Sequence, residues 1–216
     1  MGNVVVSQFI TLDGVFQDPG GIGELDRGGW SFKGDRGPEG MEFKLQEIRA
    51  AGALLLGRVT YEGFAQAWPS MPSDEFGYAD KMNSMPKFVV STTLEHADWN
   101  NSTILRGDIE HEVRAVKQQI DGDVLVNGSG QLVEALLSYD LIDEFRLMIC
   151  PIVLGSGRRL FPESGHEISL RLVDTIKSGD SLILTYQPSR SSAEDFTSES
   201  EEPQIDQAET TPTPAS

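Results

Sequence analysis

Apolar side chains along the chain follow two rhythms. Short, near-continuous runs occur at Val4-Val5-Val6, Ala53-Leu54-Leu55-Leu56, Phe88-Val89-Val90 and Val124-Leu125-Val126. Runs of this length and composition predict strands buried on both faces, as in a mostly parallel sheet. Between them, apolar residues recur at helical spacing. Met41, Leu45 and Ile48 form one stripe, Ile109, Val113, Val116 and Ile120 a second, and Leu132, Val133, Leu136 and Leu137 a third. Each stripe predicts a helix with one buried face.

The last third of the pattern has a period of two. Phe145, Leu147 and Ile149 alternate with Arg146, Met148 and Cys150, and Ile168, Leu170 and Leu172 alternate with Ser169 and Arg171. With Ser178-Gly179-Asp180 before the final run Ser181–Tyr186, this predicts a closing antiparallel hairpin. The expected class is α/β, with a mixed, mostly parallel sheet.

Composition then divides the 216 residues into a folded domain, 1–187, and an acidic tail, 188–216. From Gln187 onward the chain is Ser, Thr, Pro, Glu and Gln with seven acids and one base, too polar to offset its ordering entropy, so disorder is expected. Overall, 34 acids face 17 Lys and Arg, a net charge of −17. That balance argues against a nucleic-acid-binding surface and against adsorption on an anionic membrane. The one cysteine, Cys150, cannot form an internal disulfide and is expected to be a buried packing residue. The start of the chain lacks a basic leader and no run reaches the 18 apolar residues of a membrane span, so a cytoplasmic protein is expected. His96, His111 and His166 are scattered, and no metal site is expected.

Three strand-end loops carry candidate chemistry. Gly57-Arg58-Val59-Thr60-Tyr61-Glu62 follows the Ala53–Leu56 run. Its glycine permits close backbone approach to an anion, Thr60 can cap the next helix, and Arg58 offers a forked cation for phosphate. An ordinary helix start with a surface arginine reads equally from spacing alone. Asn127-Gly128-Ser129-Gly130-Gln131-Leu132 is a second strand–glycine–helix passage. It fails the dinucleotide fingerprint because Val133 stands at the third glycine position, yet it leaves helix amides suited to a pyrophosphate. Ser91-Thr92-Thr93 places three hydroxyls at a third strand end. Open α/β sheets bind ligands at the carboxyl ends of their strands, so the three loops together point to a phosphorylated nucleotide.

These blocks resemble the dihydrofolate reductase-like proteins, and most closely the branch containing the reductase domain of the riboflavin-biosynthesis deaminase-reductase. Ser7–Gly14, Ala67-Trp68-Pro69, Leu141-Ile142-Asp143-Glu144 and Pro151–Phe161 match the same family in order, over roughly residues 3–186. The resemblance implies a three-layer fold with helices on both faces of the sheet, NADPH as cofactor, and hydride transfer to a small pteridine- or pyrimidine-like heterocycle. Activity as a 5-amino-6-(5-phosphoribosylamino)uracil reductase is implied within that class, and so is a homodimer joined through the antiparallel part.

By the same resemblance, Arg58, Ser91 and Thr92 would hold the 2′-phosphate of NADPH. Gly57, Thr60, Asn127 and the Gly128–Leu132 turn would hold the pyrophosphate side. Thr11, Leu12, Asp13, Gly14 and Val15 would form a mobile loop near the nicotinamide, with the Gly155–Arg159 loop packed on it. Three residues are candidates for the reacting centre. Asp13 is a proton donor or a loop-fixing acceptor. Trp30 stacks on a flat ring or closes over the core. Glu42 stands one step past Met41, the position at which dihydrofolate reductases carry an acid, and one helical step turns a side chain by roughly 100°. That departure leaves a second reading open: a non-catalytic nucleotide-binding or interaction protein on a reductase scaffold.

Overall fold

The computed structural model describes residues 1–21, 25–161 and 167–189. Of the residues named above, His166 and most of the expected tail therefore lie outside the described residues. Eight strands form one sheet: β1 (Val4–Thr11), β2 (Ala51–Gly57), β3 (Lys87–Val90), β4 (Ser102–Leu105), β5 (Asp123–Val126), β6 (Glu144–Cys150), β7 (Leu170–Ser178) and β8 (Ser181–Pro188). Their order across the sheet is β4-β3-β2-β5-β1-β6-β8-β7. The first six are parallel, while β8 runs antiparallel to both β6 and β7.

Alternation along the central strands explains the layers. Val4 and Val6 on β1, and Ala53 and Leu55 on β2, enter one apolar cluster; Val5, Leu54 and Leu56 enter another. Helices α4 (Ile109–Gln119) and α5 (Gly130–Ser138) cover the first face through Val113, Val116, Val133 and Leu136. Helices α1 (Gly37–Ala50), α2 (Arg58–Ala67) and α3 (Tyr78–Ser84) cover the second through Ile48, Tyr61 and Met82. Leu54, Leu55 and Leu56 are all fully buried. Each such side chain contributes about 1.5–3 kcal/mol, and neither face of β2 meets water.

The expected fold class holds, with corrections in detail. Met41 is 55% exposed, so the buried stripe of α1 is Leu45, Glu47 and Ile48 instead. Ile120 lies just past the end of α4. Strand β4 and helix α3 have no counterpart in the expected elements; β4 is four residues long and opens on Ser-Thr, too short and polar to read as a buried run. Strand β8 includes Gln187 and Pro188, with Pro188 opposite Leu170, so the sheet reaches one residue past the expected boundary. Cys150 is buried, and burial pushes its thiol pKa up. Among the described residues no helix is long and apolar enough to cross a membrane, and no group of His, Cys, Asp and Glu could hold a metal ion.

Candidate functional site

Strands β2, β3 and β5 stop close together along one rim of the sheet. Gly57 is paired with Val90, and Leu54 with Leu125. Strand β5 ends at Val126, opposite Val6, while β1 continues to Thr11. Ser7, Gln8 and Phe9 therefore extend beyond the end of β5, and the loop that follows it folds back onto them. The Gln8 side-chain amide donates to the Gly128 carbonyl at 2.9 Å, and Asn127 donates to the Ser7 carbonyl at 3.4 Å.

A cavity of about 620 Å³ opens at this rim. Such a volume is typical of ligand sites. All three strand-end loops reach it: Gly57, Arg58 and Thr60 from the first, Ser91 and Thr92 from the second, and Asn127 through Leu132 from the third. The loops are also bonded to one another. Ser129 Oγ accepts from the Gly57 N–H at 2.8 Å and donates to Thr60 Oγ1 at 2.8 Å. Thr60 thus links two loops rather than capping its helix: neither α2 nor α5 has a capping side chain. Their first-turn amides remain open to an anion. Gly128 has a φ of +65°, and a Cβ there would stand 2.7 Å from Thr60 Oγ1, so the turn needs glycine on both counts.

Arg58 bonds Glu62 at 3.2 Å along the exposed face of α2. An exposed pair of this kind is worth less than about 1 kcal/mol, so the guanidinium is available to a phosphate. Ser91 Oγ accepts from the Leu94 N–H at 2.9 Å and the Thr93 N–H at 3.2 Å, which shapes the β3 loop, and it lies 3.5 Å from the Thr93 hydroxyl.

Several expected residues are not on the cavity wall. Thr11, Leu12, Asp13 and Gly14 turn away toward the 151–160 segment. Asp13 accepts from Leu154 and Gly155 N–H at 3.2 and 2.8 Å and from the Thr11 hydroxyl at 2.5 Å. The Thr11 hydroxyl bond and those two amides, against a smaller opposing effect of burial, hold the Asp13 carboxyl down at about 2. Arg159 Nε donates to the Asp13 carbonyl and Val15 bridges Arg159, so the expected packing of the Gly155–Arg159 loop on this segment is present. Of the two roles for Asp13, the geometry is that of the loop-fixing acceptor.

Trp30 lies 1% exposed among Val15, Cys150 and Leu154, with its indole N–H on the Gln17 carbonyl at 2.8 Å. It closes over a core and offers no face to a ligand. Glu42 is on the solvent side of α1, accepting from Gln46. The helix instead turns Lys44 and Glu47 inward. Lys44 Nζ donates to Ser7 Oγ at 2.8 Å and to Glu47 Oε2; Ser7 Oγ donates to the same carboxylate oxygen at 2.9 Å. Burial acts most strongly, to lower the Lys44 pKa, but the Glu47 carboxylate and Tyr78 together outweigh it and the net shift is upward.

Lys44, Phe32 and Tyr78 line the cavity without standing out in the sequence pattern, and Arg36 and Phe9 line it beside them. For Lys44 a signal existed: with Glu47 it forms an i,i+3 charged pair on the buried side of α1, interleaved with Leu45 and Ile48.

The parallel sheet, its two helical layers, the antiparallel end and the three loops at one rim define a dihydrofolate reductase-like α/β protein. The RibD C-terminal domain family model matches residues 3–184, and the chain belongs to that family. It is 30% identical over 175 residues to YyaP, an uncharacterised protein of Bacillus subtilis (strain 168), covering 80% of this chain and 87% of YyaP. The crystal structure of a putative riboflavin biosynthesis protein from Shewanella sp. PV-4 superposes with a TM-score of 0.67 at 23% identity, over 88% of this chain and 100% of that one. Dihydrofolate reductase from Enterococcus faecalis, complexed with NADP(H), gives a TM-score of 0.55 at 16% identity, over 87% of this chain and 97% of that one. At these identities the two structures share the fold.

Proposed function

We propose that the protein is an NADPH-dependent reductase that delivers hydride to a small pteridine- or pyrimidine-like heterocycle. The observation that carries this reading is the convergence of three strand-end loops, with two uncapped helix N-termini, on one cavity. The close approach enforced by Gly128 leaves backbone there that a bound pyrophosphate can reach.

Arg58, Ser91 and Thr92 hold the 2′-phosphate in this reading; Thr60 and the Gly128–Leu132 turn hold the pyrophosphate. When bound, NADPH supplies the hydride. The chain's own contribution is to orient the acceptor and exclude water. Phe9, Phe16 and Phe32 give the cavity the apolar surface for both tasks. The E. faecalis enzyme was solved with NADP(H), and a deaminase and 5-amino-6-(5-phosphoribosylamino)uracil reductase of Thermotoga maritima shares the fold, which makes that uracil the first acceptor to assay.

A cytoplasmic homodimer belongs to the same reading. Support for an interface at the antiparallel end is the outer strand β7, which leaves Leu172 and Val173 exposed. Light scattering gives the mass directly.

The second reading, a nucleotide-binding protein without turnover, is favoured by one observation: α1 directs no acid into the cavity at the Glu42 position. Titration with NADPH and NADH, followed by NADPH oxidation with the acceptor panel, separates the two. Preferential NADPH binding with turnover supports the reductase; tight binding without oxidation supports the second reading; no binding removes both.

A further inference from the structure

Helix α1 brings a cation, not an acid, to the β1 end of the cavity. Lys44 Nζ donates to Ser7 Oγ at 2.8 Å and to Glu47 Oε2. Its side chain is 17% exposed, enclosed by the protein yet open to the cavity that it lines. Two of its three N–H donors are used in this way, which leaves one for a ligand.

The carboxylate behind it is incompletely paired. Glu47 is 4% exposed; Oε2 takes both Ser7 and Lys44, whereas Oε1 has no hydrogen-bond partner and lies 3.7 Å from Arg146 Nη1. Arg146 bonds in turn to Glu144 at 2.7 Å and Asp123 at 2.9 Å. Two cations, Lys44 and Arg146, thus face three carboxylates. That negative surplus favours a protonated Lys44. Tyr78 acts in the same direction, while burial and Arg146 oppose it, and Arg36 lies across the Phe9 ring, 5.7 Å from its centre.

The other proton-bearing groups at this end are otherwise engaged. Ser7 gives its hydroxyl proton to Glu47, and Ser31 gives its own to the Pro19 carbonyl. The Gln8 amide is bonded to the Gly128 carbonyl. Arg36 and Arg158 carry guanidinium groups, which do not release protons. Asp18 serves as an acceptor, its Oδ2 taking the Leu25 N–H at 3.1 Å. Tyr78 also lines the cavity, but among the described residues no hydrogen bond fixes its hydroxyl, and burial raises its pKa.

We propose that Lys44 is the proton donor of the reduction, with Glu47 as the positioning residue that holds the ammonium in place. This rests on the reductase reading, in which the cofactor runs from β3 across β2 and β5 and its reactive end arrives at β1. Hydride adds to the carbon of a polarised C=N or C=O bond of the acceptor, and the π electrons move to the heteroatom. A Lys44 N–H bond breaks, and its proton goes to that nitrogen or oxygen. NADPH is oxidised to NADP+, the acceptor gains two electrons, and Lys44 is left as a neutral amine that regains a proton from water once product leaves. A phosphoribosylamino group offers such a C=N bond when its sugar ring opens to the imine, so the first acceptor to assay falls in this class.

The test uses the full chain with NADPH and the acceptor panel, 5-amino-6-(5-phosphoribosylamino)uracil first. Lys44→Met is expected to slow single-turnover NADPH oxidation about a hundredfold or more, while the affinities for NADPH and acceptor change less than about threefold. Lys44→Arg keeps the charge and can bond Ser7 and Glu47 but holds its proton, so it should be as slow; it keeps the test valid should Lys44→Met unfold. The wild-type rate should be flat through neutral pH and fall only on the alkaline side of the ordinary lysine value of 10.5. Glu47→Gln should bring that fall to lower pH by about one unit or more. Nitrogen-15 NMR of the lysine side chains in the ligand-free protein reads the same proton without cofactor: Lys44 should keep it above pH 10.5 and lose it earlier in Glu47→Gln. A wild-type rate in Lys44→Arg, or a ligand-free Lys44 that deprotonates below 10.5, overturns the proposal and leaves the reductase reading intact. No NADPH oxidation by the wild type with any acceptor removes that reading, and the donor with it.

Discussion

Ser129 and Thr60, 69 positions apart in the chain, share a hydrogen bond at 2.8 Å, and the same Ser129 oxygen receives the Gly57 N–H. Two strand-end turns are thereby fastened by a single hydroxyl. Ser129→Ala leaves a part-buried N–H unpaired, at a cost of about 1–3 kcal/mol. A lower melting temperature together with weaker NADPH binding is expected. Gly128→Ala should be worse, since it adds about 1–2 kcal/mol of left-handed strain to the contact with Thr60. Thermal denaturation with and without NADPH reads both effects.

In the proposed reading, cofactor choice turns on Arg58. Replacing it with Ala costs only a weak exposed pair with Glu62, so stability should change little. Loss of a charged contact to the 2′-phosphate removes about 1.5 kcal/mol or more, roughly tenfold in affinity. NADPH binding should weaken by that factor and NADH binding stay constant. Equal weakening of both, measured by fluorescence titration, would refute the assignment.

Asp13 makes a pH-dependent contribution whose sign is fixed by its lowered pKa. The carboxyl titrates at about 2 in the folded protein against 3.8 for an ordinary aspartate. Its stabilisation is therefore complete above about pH 4 and is lost as pH falls through about 2. Asp13→Asn should melt lower than the wild type at pH 5, and the gap should close toward pH 2. A gap that stays constant over this window would show that Asp13 does not staple the two loops.

Lys87 is fully buried at the start of β3, and its ammonium donates to the carbonyls of Asn83, Met85 and Asn100 while lying 4.3 Å from the centre of the Trp99 ring. Burial alone lowers its pKa to about 8, so it keeps its proton at neutral pH. Lys87→Met matches the volume but strands three carbonyls, each costing about 1 kcal/mol or more. Chemical denaturation should show a loss of several kcal/mol, with the segment between α3 and β4 the first to exchange its amides.

The central strands were legible because both of their faces are buried. Val4-Val5-Val6 and Ala53–Leu56 could only be placed inside a layered sheet, and the glycine loops after them mark where a parallel strand hands over to a helix. The hairpin was legible from its period of two. The β1 end of the cavity was not, because Arg36, Lys44, Phe9 and Phe32 meet only after α1 docks beside β1. Helix phase misled at the same place: Met41 and Glu42 look inward only if the stripe begins there, and Lys44 with Glu47 shows that it begins later. Trp30 failed for a different reason. An aromatic residue in a glycine-rich segment carries no signal of which side of the segment is covered, and here Val15, Cys150 and Leu154 cover it.

The direction of β8 has a practical consequence. Its last residues lie beside Leu170 and, through Tyr186, near Phe145 at the beginning of β6, so the chain leaves the sheet on the rim opposite the three loops. A reporter, affinity handle or surface tether joined after Ser189 departs from the back of the molecule, and immobilised protein keeps its mouth facing the bulk solution.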